Sequence, residues 1–188
     1  MGPIEVLWGI IILVFIMVTL VRGYQRELGI TILLLLVLFV ELYFGDRIES
    51  ILVNKVFKQV FALFNVKNTE TLQNFLLVVT YQSLLLVVLF LGYEGRTLSF
   101  PGAPRPGMEG VLISIFIGAV NGWLVTGTIW YYLDKYNYPY LVEWGILKPE
   151  WTKTAQVLMK YLPPRLFEGR PEVLAVFAAL LIFISVRR

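Results

Sequence analysis

Cysteine and histidine are both absent from the 188 residues of this chain. That excludes a disulfide, a thiolate nucleophile, a histidine metal site, a histidine-ligated haem and a histidine-based triad. Charge is also sparse. Sixteen Lys and Arg face thirteen Asp and Glu, 15% of the chain together, for a net +3. No basic cluster is interleaved with aromatics on a polar surface, so nucleic acid is not an expected partner. The glycine- and proline-rich stretch 94–110 lacks the GxxxxGK[ST] order of a phosphate loop and reads as a stiff connector. No nucleophile is set beside a base, so an enzyme is the least favoured class, and neither a cofactor nor a metal is expected.

What is abundant is apolar. Hydrophobic residues make up 58% of the chain, and its mean hydropathy is +0.75. Those values fit an all-α, polytopic membrane helix bundle forming a single membrane domain over 1–188. Four spans are expected at about 4–21, 28–44, 72–93 and 111–133, each near the roughly 20 apolar residues that cross a bilayer. A fifth is expected at 173–186, which is short unless flanking residues help or the bilayer thins. The first segment carries Glu5 where a signal peptide would have Lys or Arg, so it is read as a span. RGYQRE, 22–27, reads as a short turn joining the first two spans as a hairpin. Residues 46–66 read as an amphipathic helix with Ile48, Ile51, Leu52, Val56, Val60, Leu63 and Phe64 on its apolar face. Such a helix suits the headgroup plane or the protein's own bundle. A second amphipathic helix is expected at 151–162, stopped by Pro163 and Pro164.

The segment 111–133 carries the strongest packing signal. Gly110, Ser114, Gly118, Gly122 and Thr126 recur every fourth residue, which stacks them into one stripe on a helix. A stripe of small residues lets a second helix approach backbone to backbone, the main source of association where lipid gives no hydrophobic drive. This segment is therefore read as the inner post of the bundle. Three polar residues lie within or near spans: Glu41, Gln82 and Asn121. An unpaired polar side chain is costly there, so a hydrogen bond between Gln82 and Asn121 is expected. Glu41 reads first as an interfacial carboxylate reaching water or Arg47, and second as a buried carboxylate on an ion or proton path. The aromatic run Trp130, Tyr131, Tyr132, Tyr136, Tyr138, Tyr140 and Trp144 reads as a membrane–water belt, or as a surface for a partner or pigment. Short loops report topology best, and Arg22, Arg26, Arg96 and Arg105 favour the cytoplasm for their two turns. The N-terminus would then lie outside and Arg187–Arg188 inside.

An acidic residue before the first span, then RGYQREL and a second span, resembles the colicin V production protein (CvpA-like) family. That family opens with a G-x-x-R-G-x-x-x-E turn. Arg22, Gly23 and Glu27 match it, while Thr19 stands at the earlier glycine. Gly110, Gly118 and Gly122 fall where the family tends to repeat glycine, and the entry to that span is altered to PGMEG. The likeness covers about residues 4–133. It implies a bacterial inner-membrane protein linked to bacteriocin production and envelope physiology, with no catalytic residues to carry over. The expected role is structural or assembly, through contacts with the lipid bilayer and with other membrane proteins or a second copy of the chain. Two alternatives stand beside it. One is an accessory transmembrane subunit of a large respiratory or photosynthetic complex. The other is a small transporter or channel built around Glu41, Gln82 and Asn121.

Overall fold

The computed structural model of the protein describes residues 4–65, 67, 69–94, 107–147 and 151–186. Among these the regular structure is helical, with no strand. The helices are α1 (Ile4–Arg22), α2 (Tyr24–Tyr43), α3 (Gly45–Ile51), α4 (Lys58–Phe64), α5 (Glu70–Glu94), α6 (Met108–Lys135), α7 (Lys153–Lys160), α8 (Pro163–Phe167) and α9 (Glu172–Val186). A π-helical turn, Leu52–Phe57, joins α3 to α4. Most of the expected connector 94–110, with Arg96 and Arg105, lies outside the described residues, as do Arg187 and Arg188.

Helix α6 is the centre. It packs on α1, α2, α5 and α8, and its contact with α1 is the most extensive in the molecule. The reason is the stripe. A methyl group on Gly118 would sit 2.6 Å from the Cα of Ile16, and one on Gly122 would sit 2.8 Å from the Cα of Ile12. The two backbones touch, and only glycine allows it. Gly110, Ser114 and Thr126 continue the stripe as buried residues. The hydroxyls along this seam donate back to their own helices, Ser114 to Gly110 O at 2.8 Å, Thr126 to Gly122 O at 2.6 Å and Thr19 to Phe15 O at 2.9 Å. Each polar group is thereby satisfied without water. Gly127, one residue off the stripe, receives the ring of Pro163 at the start of α8.

The connection between α1 and α2 differs from the expected six-residue turn. It is Gly23 alone, at φ +85°, and Tyr24 to Glu27 already form the first turn of α2. The two helices share few contacts and both turn to α6 instead, so the hairpin is a covalent neighbour pair rather than a packing unit. Helices α1, α5 and α6 are each long and apolar enough to cross a membrane. Helix α2 passes that test only together with Gly45–Phe64, from which it is bent by 65°. Helix α9 is a shorter apolar helix packed on α2.

The segment beyond the bend is helical as expected, and Ile48 and Leu52 of its apolar set pack against the core. Ile51, Val56, Val60, Leu63 and Phe64 are exposed, whereas Phe57 and Phe61 are buried. The extra residue per turn in Leu52–Phe57 rotates the later side chains relative to a continuous α-helix, and it is Phe57 and Phe61 that turn inward there. The prolines after α7 also act differently from a simple stop. Pro163 and Pro164 occupy the first positions of α8, where a missing N–H costs nothing. The aromatic run is corrected as well. Trp130, Tyr131, Tyr132, Tyr136 and Tyr138 are buried and form a core cluster with Phe57, Phe61, Leu77 and Tyr81, while Trp144 is exposed. Interfacial preference explains the outlying ring; helix packing claims the others.

Candidate functional site: two buried carboxylates on one helix

Helix α2 carries a glutamate at each end, and both are buried. Glu27, in the first turn, is 0% exposed, and Glu41, in the last turn, is 1% exposed. Their surroundings differ.

Glu27 is enclosed by partners from three helices besides its own. The Arg22 Nε lies 3.1 Å from its Oε1 across the Gly23 turn. The Tyr93 hydroxyl, from the end of α5, donates to Oε2 at 3.1 Å. Asn121 Nδ2, from α6, donates to the Glu27 carbonyl at 3.2 Å and reaches Oε2 at 3.4 Å. Thr31, one turn along α2, directs its hydroxyl at Asn121 Oδ1 at 2.7 Å, with the Glu27 carbonyl at 3.0 Å. Arg22 in turn stacks over the Tyr93 ring, 4.6 Å from its centroid, so the cation is held from two sides. The N-terminal end of a helix dipole favours a negative charge, which adds to the pairing.

Asn121 is therefore paired with Thr31 and Glu27, not with Gln82 as the sequence led one to expect. Gln82 Nε2 is buried without a hydrogen-bond partner, and Thr80 donates to its own helix at Leu76 O, 2.7 Å away. Helix α5 packs more extensively on α2 than on α6. Arg22, Gly23 and Glu27, noted first as a turn motif, belong to this site, so the polar residues and the turn are one constellation. Thr31 and Tyr93 were not singled out from sequence. Thr31 carried a signal, since it stands one helical turn from Glu27; Tyr93 carried none, because its role depends on how α5 ends against α2.

Glu41 does not reach water or Arg47. Both of its carboxylate oxygens are buried and neither accepts a hydrogen bond of regular geometry; the nearest donor is the Tyr132 phenol. Beside it stand Tyr132 of α6 and Tyr81 of α5, whose rings stack at 4.2 Å with planes 5° apart. Tyr136 lies 6.4 Å from both rings and nearly parallel to them. This column ends at Glu49 on α3. Its Oε1 accepts from the Tyr136 hydroxyl at 2.6 Å and from Lys135 Nζ at 2.6 Å, with the Tyr81 hydroxyl at 3.5 Å. The Tyr81 hydroxyl also lies 3.2 Å from Gly45 O, a carbonyl at the break between α2 and α3. Burial first, then its bond to Glu49, holds the Tyr136 phenol well above its ordinary range, so it remains a neutral donor. The Glu49–Lys135 pair is partly exposed, at 26% and 35% of its side chains.

A third polar group closes the same end of the bundle. Trp130 Nε1 donates to the Tyr138 hydroxyl at 3.0 Å, Tyr138 donates to Asp134 at 3.2 Å, and Asp134 pairs with Arg165 of α8. Tyr131 donates to Glu168 at 3.1 Å. These contacts tie the segment after α6 back onto α6, where Asn137, Tyr138 and Tyr140 hold positive φ values of 58°, 49° and 62°. Among the described residues no group of three or more Asp, Glu, His or Cys could hold a metal. Comparison with family models, curated proteins and solved structures returned no match.

Proposed function

We propose that the chain is a multi-pass protein of the bacterial cytoplasmic membrane, with a CvpA-like structural or assembly role exerted through helix and protein contacts. The observation that carries the membrane reading is the outer surface. On α1, Val6, Leu7, Ile10, Leu13, Val14 and Met17 are exposed over the whole helix. Leu86, Val87, Phe90 and Leu91 do the same on α5, and Val176, Leu180 and Phe183 on α9. A continuous apolar exterior, with the polar side chains drawn inside, suits lipid as solvent.

One feature supports the CvpA-like part. The R-G-x-x-x-E turn joins Arg22 to Glu27 across a glycine with positive φ. Thr19, which departs from the family's glycine, is buried at the α1–α6 crossing, close to Gly118. The polar interior is spent on holding helices together, which favours assembly over catalysis. With the Gly23 turn facing the cytoplasm, the tyrosine cluster and α7 lie toward the opposite face.

The test is membrane fractionation with an alkaline wash, then purification in mild detergent and mass spectrometry of what stays bound. The expected result is retention in the membrane and recovery alone or with envelope and secretion proteins. Release by the alkaline wash would contradict the membrane reading. The apolar face of α1 also favours a second reading, a contact surface within a larger assembly. A fixed stoichiometry with respiratory or photosynthetic subunits would replace the first reading with that one.

A further inference from the structure

Glu41 is a group that the assembly reading does not use. Everything around it argues against a permanent charge. It is 1% exposed, no donor reaches its oxygens with regular geometry, the Tyr132 phenol being the nearest, and among the described residues no Lys or Arg pairs with it. It occupies the last turn of α2, where the helix dipole opposes a carboxylate. An uncompensated ion in such a place costs several kcal/mol. The ionisable groups acting on it are few. Tyr132 faces it from α6 and Tyr81 from α5. Helix α3 contributes Glu49, reached through those phenols, with Asp46 and Arg47 on the same short helix. Helix α9, also packed on α2, has no ionisable side chain after Glu172.

A metal ion would need several oxygen or nitrogen donors, and a single carboxylate among phenols does not supply them. A proton needs one carboxylate oxygen. The tyrosines make that proton exchangeable. Phenol hydroxyls both donate and accept, and the Tyr81 hydroxyl has one proton and two acceptors in reach, Gly45 O and Glu49. The column ends at a carboxylate in contact with solvent.

We propose that Glu41 is a proton-binding site that exchanges with water at the Glu49–Lys135 surface through Tyr136, Tyr81 and Tyr132. In each passage a proton from water enters at Glu49, every phenol gains one proton and gives up another, and the Glu41 carboxylate becomes a carboxylic acid. No covalent bond to carbon changes and nothing is oxidised or reduced. The site stands on the bundle's interior and is independent of the CvpA-like reading.

Infrared spectroscopy of the purified full chain tests this. At neutral pH the native protein shows the carbonyl band of a protonated carboxylic acid, and that band shifts on transfer to deuterated water. Glu41→Gln loses the band, Glu41→Asp moves it, and Glu27→Gln keeps it. Tyr136→Phe and Tyr81→Phe keep the band but slow its deuterium shift. A native spectrum without the band, or a band that survives in Glu41→Gln, overturns the site. Should Glu41→Gln fail to fold, the Glu41→Asp comparison still assigns the band. Deuterium exchange at the native rate in both tyrosine variants, or no exchange in the native protein, overturns the route.

Discussion

The two ends of α2 solve one problem in opposite ways. At the Gly23 end a buried glutamate is given an arginine, a phenol and an amide, and the constellation locks α1, α2, α5 and α6 together. At the Phe44 end a buried glutamate is given no donor of regular geometry and is set among stacked rings. Equal burial therefore implies different chemistry. The first site is a clasp, whose members depend on one another. The second is a vacancy in the hydrogen-bond accounting, and removing it breaks no bond of regular geometry.

The largest effect comes from breaking the scaffold that both sites share. Gly118→Leu pushes a side chain into the Ile16 Cα and the Phe15 carbonyl, which cannot rotate aside. The overpacking cost should exceed ~3 kcal/mol, and the native bundle should be lost in detergent, as read by size-exclusion and thermal denaturation. Unchanged assembly would remove α6 as the post. Next comes Arg22→Leu, which strips the cation from Glu27 and so makes the first site resemble the second. An orphaned buried charge costs about 3–5 kcal/mol, to be read from thermal unfolding; restoring much of the loss with Glu27→Leu in the same chain would identify the pair as its source. Asn121→Leu takes one partner each from Thr31 and Glu27, which keep their others, and should cost about 1–3 kcal/mol. The smallest change is Tyr93→Phe, which removes one donor from Glu27 while keeping the ring under Arg22, a loss of about 1 kcal/mol.

How much of this was legible in the sequence depends on the range of the interaction. The long helices were readable because a run of apolar residues is local information, and the structure places α1, α5 and α6 within a few residues of the expected segments. The stripe on α6 was readable because its period is that of a single helix. The pairing of Asn121 was not, because Thr31 and Glu27 lie about ninety residues earlier and only the packing of α2 on α6 joins them. The inward turn of Phe57 and Phe61 was hidden by the π turn, which alters the period on which the helical wheel relies. The tyrosines misled for a different reason. Amphipathic rings do favour interfaces, but Tyr81 and Tyr132 gain more from stacking on each other between α5 and α6, and pairs of that kind add about 0.5–1.5 kcal/mol to their burial. Glu41 followed them inward because it shares their layer.

The most direct test sets the two glutamates side by side. Thermal unfolding of Glu27→Gln and Glu41→Gln is measured in the same detergent at neutral pH. The account predicts a clear loss of stability for Glu27→Gln, because Arg22 is left without its counter-charge, and a much smaller one for Glu41→Gln, because a neutral amide replaces a group with no charged partner and no bond of regular geometry. Equal losses, or a larger loss at Glu41, would contradict the division between a clasp and a vacancy.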